Sequence, residues 1–498
     1  MNHEELSQVL IDRRASLDRL IASGVSPFAY AYDRTHLTSD ARVLLRDGEE
    51  SGPVVRIAGR LVSLRSKGKT AFAHVSDASG RLQAYFRKDD MPLEQWSVFE
   101  ELHLGDIVGV AGNLMRTRTG EVTVQCTELV LLAKTLRPLP FAKEQIVDGE
   151  VKRYSGFSDP EQRYRQRYAD LAVHPEMRAN FYARARMTTE IRAFLDGLGY
   201  LEVETPVLQP LYGGAAARPF TTHHNALDMP LYLRIADELY LKRLIVGGFD
   251  RVYEIGHDFR NEGIDRTHNP EFTMLEFYES YADYSLMMDR VEQLIVAAAE
   301  AVRGTAGITS ETVPEFETPF RRIEWVPSLS AGLGRDVLGM TDAELVTAAM
   351  EQGVERPERL SRPKLMDELF QALVERTITT PTFVLDYPVE LSPLAKPKRG
   401  NPALTERFEL FADGREMANA FSELNDPIDQ RQRFEAQARL KAAGDDEATG
   451  VDEDYLRALE YGMPPTGGVG IGIDRLLMYL TGTQHIRDVI LFPAMRPE

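Results

Sequence analysis

Residues 251–278 constrain the fold of this chain more than any other stretch of its sequence. They read RVYEIGHDFRNEGIDRTHNPEFTMLEFY, with a mixed apolar and polar run up to Phe259, a charged loop, and alternation from Phe272 to Tyr278. Alternation with a period of two sends successive side chains to opposite faces of a β-strand. The stretch therefore predicts a strand, a polar loop and a second strand.

The second predicted strand has two chemically different faces. They are Thr273, Leu275 and Phe277 on one side, and Phe272, Met274, Glu276 and Tyr278 on the other. The second face carries a carboxylate and a phenol beside an aromatic ring, so it is poorly suited to a hydrophobic core. It indicates the floor of a binding site. In the loop, Arg260, Arg266 and His268 are donors suited to phosphate oxygens. A charged surface hairpin is the alternative interpretation.

Length and composition narrow the class of protein. A chain of 498 residues, 43% hydrophobic and 27% charged, is expected to form two or three globular domains. It has no run of about 18 apolar residues and no apolar signal core at its start, so neither a membrane span nor secretion is expected. The single cysteine, Cys126, fits a cytoplasmic protein, and no cysteine–histidine cluster suggests structural zinc.

The charge of the chain is unevenly distributed. Its 58 Lys and Arg against 77 Asp and Glu give a net charge of −19. Taken whole, this disfavours nucleic-acid binding, because phosphate neutralisation dominates such affinity. Residues 51–140 differ, with 12 basic and 9 acidic residues and a local balance of +3. Any contact with nucleic acid is therefore expected to begin in this segment.

Residues 54–136 contain about five short β-type runs, with turn signals at Gly68, Ser79-Gly80 and Thr119-Gly120. This density of strands predicts an OB-fold barrel. Strand parity directs Ala71, Ala73, Val75, Leu82, Ala84 and Phe86 inward, and Phe72, His74, Arg81, Gln83, Tyr85 and Arg87 outward. Outward rings among arginines and an amide indicate a surface for single-stranded RNA. A solvated barrel face with incidental aromatics is the alternative.

Composition shifts divide the rest of the chain into segments. Residues 1–50 are predicted to be an N-terminal helical arm, 51–137 the barrel, 138–165 a linker of no assigned role, and 166–498 a larger domain. Helical patterns at about 285–380 predict inserted helices that pack around the sheet. No chemical constellation is visible among them.

Asp413-Gly414 is a strong signal for a two-residue β-hairpin. An uninterrupted ladder from this turn pairs Leu410 with Met417 and Glu409 with Ala418. It places Glu409 and Glu416 on one face as diagonal neighbours, about 7–8 Å apart. Two carboxylates held in this way predict a site for Mg²⁺ carried by nucleotide phosphates. A solvated hairpin with surface charges is the alternative.

Three further residues of this hairpin, Asn419, Phe421 and Glu423, have the opposite parity from Glu416. They can face the same cleft only if one strand contains an extra residue. We therefore predict a β-bulge between Glu416 and Asn419.

Near the C-terminus, the segment GGVGIGIDRLLMYLTG places Gly468, Gly470 and Gly472 on one strand face. Glycines on one face let a flat ligand lie directly on the backbone. Asp474-Arg475 then begins a helix, whose N-terminus favours a negative phosphate group.

These segments together resemble the class II aminoacyl-tRNA synthetases, in the form carried by the lysyl-tRNA synthetases. FRNEG followed by HNPEFTMLE resembles motif 2, FLDGLGYLEVETP at 194–206 resembles motif 1, and the glycine strand followed by DRLLM resembles motif 3. The resemblance covers about the whole chain from residue 5 onward. It implies an OB-fold barrel that reads the anticodon, followed by an α+β catalytic domain built on an antiparallel sheet flanked by helices.

The resemblance also implies an activity. Lysine and ATP would react to lysyl-adenylate and pyrophosphate, and the lysyl group would then pass to the 3′ end of tRNA(Lys). Mg²⁺ is the implied cofactor, bound together with ATP. A cytoplasmic homodimer formed through the motif 1 region is the implied assembly.

Site residues follow from the resemblance by position. The implied ATP-binding residues are Arg260, Glu262, His268, Asn269, Phe272, Gly470, Gly472 and Arg475, of which Arg260 and Arg475 are also catalytic. The implied lysine-binding residues are Gly214, Glu238, Glu276, Tyr278, Asn419, Phe421 and Glu423. The implied Mg²⁺ ligands are Glu409 and Glu416, and the implied anticodon contacts are Phe72 and Gln83.

One position departs from the pattern of the family. The family usually has arginine directly before the histidine of HNPEF, whereas this chain has Thr267. Thr267 cannot supply a cation. Because a shift of one residue on an extended strand reverses the side chain, Arg266 is expected to substitute only in a flexible loop.

Charge argues for lysine as the amino acid. An enclosed ε-ammonium requires carboxylates, because an unpaired buried charge is very unfavourable, and Glu276 and Glu423 supply two. A related enzyme for aspartate or asparagine would need a cation there instead. A paralogue that attaches lysine to a protein generally lacks the barrel. A noncatalytic RNA-binding protein on a decayed scaffold should have lost Arg260, Glu409, Glu416 and Arg475.

Overall fold

The structure is a computed structural model that describes residues 8–141, 143–147, 150–154, 157–309, 311–442 and 448–497. The chain divides into two units, Met1–Val173 and His174–Glu498. The division lies later in the chain than the predicted start of the larger domain at residue 166. The exact domain limits stay predictions.

The first unit contains both helices and strands. They are α1 (Gln8–Ala22), α2 (Thr38–Val43), β1 (Ser51–Lys67), β2 (Thr70–Ser76), β3 (Arg81–Arg87), α3 (Leu93–Glu100), β4 (Ile107–Arg116), β5 (Val122–Ala133), β6 (Lys143–Val147), β7 (Glu150–Tyr154), α4 (Pro160–Arg165) and α5 (Arg167–Val173). The helix predicted near the N-terminus is present as α1, and residues 1–7 lie outside the described part of the chain.

Strands β1 to β5 close into a barrel in the order β1-β2-β3-β5-β4, which confirms the predicted five-stranded barrel. The alternation of β2 and β3 sends every second side chain inside. Ala71, Ala73, Val75, Leu82, Ala84 and Phe86 are each at most 1% exposed, as strand parity predicted. Helix α1 docks on this unit through Ser16 and Arg19, which both donate hydrogen bonds to Glu101.

The segment predicted as a linker contains regular structure. Strands β6 and β7 form an antiparallel hairpin, and helix α4 follows with Asp159 as its N-cap. The interpretation of 138–165 as a linker stays a prediction, and the structure adds that much of the segment is a hairpin and a short helix.

The second unit is larger and contains most of the helices. Its elements are α6 (Arg178–Gly197), β8 (Leu201–Glu202), β9 (Leu208–Gln209), β10 (Thr221–His224), β11 (Met229–Leu233), α7 (Glu238–Val246), β12 (Arg251–Phe259), β13 (Glu271–Ser280), α8 (Tyr284–Arg303), β14 (Arg321–Glu324), α9 (Trp325–Leu333), α10 (Asp342–Glu351), α11 (Arg362–Leu373), β15 (Thr382–Leu385), β16 (Pro397–Lys398), β17 (Asn401–Thr405), β18 (Arg407–Ala412), β19 (Arg415–Ser422), α12 (Pro427–Ala442), α13 (Glu453–Glu460), β20 (Thr466–Gly472) and α14 (Ile473–Thr481).

An eight-stranded sheet forms the centre of this unit, in the order β14-β15-β18-β19-β20-β13-β12-β8. All neighbouring strands are antiparallel except for the two outermost pairs. Helices α6, α8 and α14 cover one face, where Leu275 and Phe277 are fully buried with Ile471. The predicted strand–loop–strand at 251–278 is confirmed as β12 and β13, and so is the apolar face of β13.

The helices predicted at about 285–380 form two groups. Helix α8 packs against the sheet, with Met287, Val291 and Leu294 fully buried in the main core. Helices α9, α10 and α11 form a separate apolar cluster around Trp325, whose ring stacks on Phe370 at a centroid distance of 5.0 Å. None of the described helices combines the length and apolarity needed to cross a membrane.

Candidate active site

A cavity of about 460 Å³ opens on the face of the large sheet that helices α6, α8 and α14 leave uncovered. Its lining includes every residue predicted to bind ATP, lysine or Mg²⁺. These are Gly214, Glu238, Arg260, Glu262, His268, Asn269, Phe272, Glu276, Tyr278, Glu409, Glu416, Asn419, Phe421, Glu423, Gly470, Gly472 and Arg475. The fold thus brings together residues from five separate stretches of sequence, and their individual roles stay predictions.

Strands β13 and β20 form the floor of the cavity. Tyr278 lies opposite Gly468, Glu276 opposite Gly470, and Met274 opposite Gly472. A Cβ atom at Gly468 would overlap Glu423 Oε1 and the ring of Tyr278. Glycine at this position therefore leaves the space that the two side chains occupy.

The hairpin of β18 and β19 contains the predicted bulge. Phe411 pairs with Glu416, but the next pairs are Leu410 with Ala418 and Glu409 with Asn419. Met417 is the extra residue, so the bulge between Glu416 and Asn419 is confirmed. The predicted pairs of an uninterrupted ladder, Leu410 with Met417 and Glu409 with Ala418, were therefore wrong. Because Met417 has no partner, each partner in β19 lies one residue later in the chain.

One end of the cavity carries cationic donors. Arg475 donates to His268 Nε2 at 2.9 Å and to Glu416 Oε2 at 3.2 Å. The guanidinium of Arg260 lies 5.0 Å from the centroid of the Phe272 ring. Thr267 lines the cavity, whereas the side chain of Arg266 is exposed and is not part of the lining. The structure therefore does not bring Arg266 into this group.

The opposite end of the cavity is rich in buried carboxylates. Glu238, Glu276 and Glu423 are each at most 6% exposed, and Tyr278 donates its hydroxyl to Glu276 Oε2 at 2.9 Å. Lys242, on α7, forms ion pairs with both Glu238 and Glu423. Sequence patterns did not indicate Lys242, although its spacing of four residues from Glu238 on one helix was a usable signal.

Burial shifts the proton affinity of these carboxylates. Burial raises the pKa of Glu276 to about 8, and the nearby carboxylates of Asp258 and Glu238 add to the effect. Burial also raises the pKa of Glu423 well above its ordinary value, against the opposing effect of the Lys242 ammonium. A cationic ligand would be favoured at this end of the cavity, because its charge would compensate that of the buried carboxylates when they are ionised.

Arg407 connects the carboxylates of the hairpin to the rest of the site. It donates to Asn419 Oδ1 at 3.0 Å and forms an ion pair with Glu409, while Tyr387 donates to Glu409 Oε2 at 2.7 Å. Burial raises the pKa of Glu409 to about 7, with Arg407 opposing the shift and Glu416 adding to it. Arg407 was not among the predicted site residues.

Asp367 is a third residue that sequence reasoning missed. It lies on α11, within the stretch where no chemical constellation was expected, yet its side chain lines the cavity. Burial raises its pKa, and the Arg407 guanidinium opposes the shift. Packing thus carries one face of α11 to the cavity, a placement that the local sequence did not indicate.

Comparison with known families accounts for this arrangement. Residues 159–496 match the family described as tRNA synthetases class II (D, K and N). The chain belongs to this family. Residues 55–132 match the family described as OB-fold nucleic acid binding domain. The chain is therefore a class II synthetase, a ligase that forms aminoacyl-tRNA, with an OB-fold domain ahead of its catalytic domain.

Several curated relatives align with this synthetase over their full length or nearly so. The Lysine--tRNA ligase of Carboxydothermus hydrogenoformans is 51% identical over 500 residues, which cover 100% of both chains. That of Moorella thermoacetica is 50% identical over the same span and coverage. That of Porphyromonas gingivalis (strain W83) is 49% identical over 507 residues, covering 100% of this chain and 87% of the relative.

The carboxylates of the hairpin fit a Mg²⁺ ion that brings most of its own ligands. Among the described residues, no three side chains of His, Cys, Asp or Glu form a group that could hold a metal by themselves. Glu409 and Glu416 offer carboxylate oxygens, and Mg²⁺ usually takes one or two of these together with substrate phosphates and water.

The barrel of this synthetase presents the two predicted anticodon residues on its outer face. Phe72 is 38% exposed, and its ring centroid lies 4.8 Å from that of Tyr85. Gln83 donates to Glu121 Oε2 and accepts from the Thr123 hydroxyl, both at 2.7 Å. These two contacts orient the amide, with its oxygen toward Thr123 and its nitrogen toward Glu121.

Proposed function

We propose that this class II synthetase is a lysine–tRNA ligase, which activates L-lysine with ATP and transfers it to tRNA(Lys). Its relatives that carry the name Lysine--tRNA ligase support the proposal. The charge of the cavity supports it independently of the names.

The observation that carries the proposal is the excess of buried carboxylates. Glu238, Glu276 and Glu423 line the same cavity, and Lys242 forms ion pairs with two of them, Glu238 and Glu423. With all four groups ionised, the set has a formal charge of −2, which the two ammonium groups of free lysine would neutralise. Aspartate would add a carboxylate and asparagine a neutral amide, so both would leave buried negative charge uncompensated. In this proposal Glu238, with Gly214 beside it, receives the α-ammonium, and Glu276 and Glu423 receive the ε-ammonium.

The first half-reaction needs positioning more than proton transfer. The lysine carboxylate is already a nucleophile and attacks the α-phosphorus of ATP, which forms lysyl-adenylate and releases pyrophosphate. We assign Arg260 to the α-phosphate, and His268 with Arg475 to the γ-phosphate. Donors fixed in this way stabilise the charge that develops in the transition state.

The other cavity residues would hold the nucleotide and the amino acid in place. We assign the adenine ring to Phe272, stacked over the backbone of Gly470 and Gly472. Glu262 and Asn269 border the nucleotide, whereas Asn419, Phe421 and Tyr278 border lysine. Glu409 and Glu416 would hold Mg²⁺, which when bound neutralises charge on the phosphates.

The second half-reaction requires tRNA. The terminal ribose hydroxyl of tRNA(Lys) would attack the lysyl carbonyl and release AMP. We assign anticodon recognition to Phe72 and Gln83, since an exposed ring can stack on a base and an oriented amide can pair with one. A homodimer through residues 194–206 and a cytoplasmic location complete the proposal. The resemblance implies the homodimer, and the single cysteine, Cys126, supports the location.

ATP–pyrophosphate exchange without tRNA tests the amino acid. We expect exchange with lysine and none with aspartate or asparagine. Glu423→Gln should lower kcat/KM for lysine by about 100-fold, because it removes one partner of a buried charge pair. Glu453→Gln is the matched control, since the side chain of Glu453 is 61% exposed in a surface ion pair with Arg431.

Two other results of the exchange experiment would contradict the proposal. Exchange with aspartate or asparagine would mean that the carboxylates have been assigned to the wrong ligand. No exchange with any amino acid would favour a noncatalytic RNA-binding role.

A further inference from the structure

Lys242 is a fully buried lysine that lies behind the amino-acid end of the cavity. Its side chain has no exposed surface, and its ammonium forms ion pairs with Glu238 and Glu423. Both glutamates line the cavity, whereas Lys242 is absent from the described lining. The ammonium therefore reaches these carboxylates from the protein side and leaves their other side open to a ligand.

The two glutamates come from distant elements. Glu238 begins α7, one helical turn before Lys242, and Glu423 directly follows β19. Lys242 is thus the cation that both carboxylates share, and it connects α7 to the end of the hairpin. The ring of Phe421 lies 5.3 Å from the ammonium and closes the apolar side of its surroundings.

Several other titratable or charged groups act on Lys242 and its two glutamates. Tyr455, on α13, acts on all three, and Arg243 acts on Tyr455. Glu276 and Tyr278, on β13, each act on both glutamates, and Arg407 acts on Glu238. Lys242 is the only cation in the described structure that forms an ion pair with either glutamate.

We propose that Lys242 is a positioning residue that determines specificity for lysine, because its buried ammonium pairs with both Glu238 and Glu423 and favours their ionised forms, so that they can receive the two ammonium groups of the substrate. This inference rests on the proposed function. A protonated carboxyl group would lose most of its attraction for an ammonium group. Two ionised carboxylates without a shared cation would repel each other in a buried site.

The proposal predicts a defect confined to the amino acid. Lys242→Met removes the charge and keeps a side chain of similar length. We expect the KM for lysine to rise at least about tenfold at pH 7, which corresponds to about 1.4 kcal/mol. The KM for ATP should change less than about twofold, since among the described residues Lys242 forms ion pairs with Glu238 and Glu423 and with no residue assigned to the nucleotide.

The pH profile separates this role from a purely structural one. Without the shared cation, the two carboxylates would hold protons at neutral pH and release them only as the pH rises. The KM for lysine in Lys242→Met should therefore fall between pH 6.5 and 8.5 more steeply than in the wild type. A structural role would instead lower kcat at every pH and leave the slope unchanged.

The experiment is ATP–pyrophosphate exchange of the full-length protein across this pH range, with lysine and then ATP varied. Arg243→Met is the matched control, because Arg243 follows Lys242 on α7 but donates to Asp452 at 2.9 Å. We expect wild-type values for this control. If thermal melting shows Lys242→Met to be unfolded, Lys242→Gln carries the same test with a side chain that can donate to both carboxylates.

Two results would overturn the inference: a wild-type KM for lysine in the folded Lys242 variant, or a loss of kcat with an unchanged pH slope. Failure of the proposed function would look different. In that case the wild-type protein itself would show no exchange with lysine.

Discussion

Glu409 lies directly opposite Asn419 across the hairpin of β18 and β19, because Met417 is an extra residue in the second strand. Arg407 contacts both side chains. The guanidinium of Arg407 therefore holds both Glu409, which we assign to Mg²⁺, and Asn419, which we assign to lysine. The bulge also leaves Glu416 on the cavity side, where Arg475 reaches it.

An alanine inserted between Leu410 and Phe411 should turn Glu416 away from the cavity, because it would give Met417 a partner and remove the bulge. Residues 418–421 are held on both sides by β18 and β20, so the hairpin tip is the part that can rotate. We expect lower kcat and a higher Mg²⁺ requirement in pyrophosphate exchange, with a lysine KM close to that of the wild type. A Mg²⁺ titration measures this. Deletion of Met417 is the control, since it also removes the bulge but leaves Glu416 and Asn419 two positions apart and therefore on one face; a wild-type Mg²⁺ response in the insertion variant would contradict the prediction.

Alanine at two glycines of β20 should have different effects. At Gly468 the new methyl group would overlap Glu423 and Tyr278, whereas at Gly470 the nearest atom is the flexible Met274 Cε at 3.2 Å. We expect Gly468→Ala to raise the KM for lysine at least about tenfold, or about 1.4 kcal/mol, and Gly470→Ala to affect mainly the KM for ATP. Steady-state exchange kinetics and thermal melting measure both. Equal effects on lysine would show that the floor of the cavity is misassigned.

Lysine binding should release protons at neutral pH. The pKa of Glu276 is raised to about 8 by burial and by the nearby Asp258 and Glu238, so this carboxyl group holds a proton at pH 7 in the free protein. An ammonium ligand favours the ionised form and lowers the pKa in the complex. Affinity should therefore increase as the pH rises toward about 8 and change little above it. Calorimetry in two buffers of different ionisation enthalpy measures the released protons.

Glu276→Gln is the variant that tests the source of these protons. It should bind lysine more weakly and release fewer protons than the wild type. Binding without proton release by the wild-type protein at pH 7 would contradict the prediction.

The barrel should affect tRNA and leave amino-acid activation unchanged. Phe72→Ala removes an exposed ring, and base stacking on an aromatic side chain contributes about 1–3 kcal/mol. We expect the KM for tRNA in aminoacylation to rise about tenfold or more, with unchanged pyrophosphate exchange in the absence of tRNA. Tyr30→Ala removes a fully exposed ring from the same unit and serves as the control. Equal KM values for tRNA in Phe72→Ala and wild type would remove Phe72 from the anticodon surface.

Local patterns in the sequence predicted much of the fold. The alternation of β2 and β3 identified the barrel interior, and that of β13 separated the core face from the cavity face. Even the bulge at Met417 followed from parity, since Glu416 and Asn419 could share a cleft in no other way. These predictions succeeded because strand parity depends only on neighbouring residues.

The sequence by itself determined the order of the domains, the faces of the strands and the family motifs. Only the tertiary structure decided which side chains meet across long distances in the chain. Lys242 and Glu423 are separated by most of the catalytic domain, and Asp367 reaches the cavity from a helix with no local signal of function. The raised pKa of Glu276 likewise depends on burial, and burial results from the packing of many elements around this side chain. Periodicity specifies the direction of a side chain, whereas its partners and its dielectric surroundings exist only after the chain has folded.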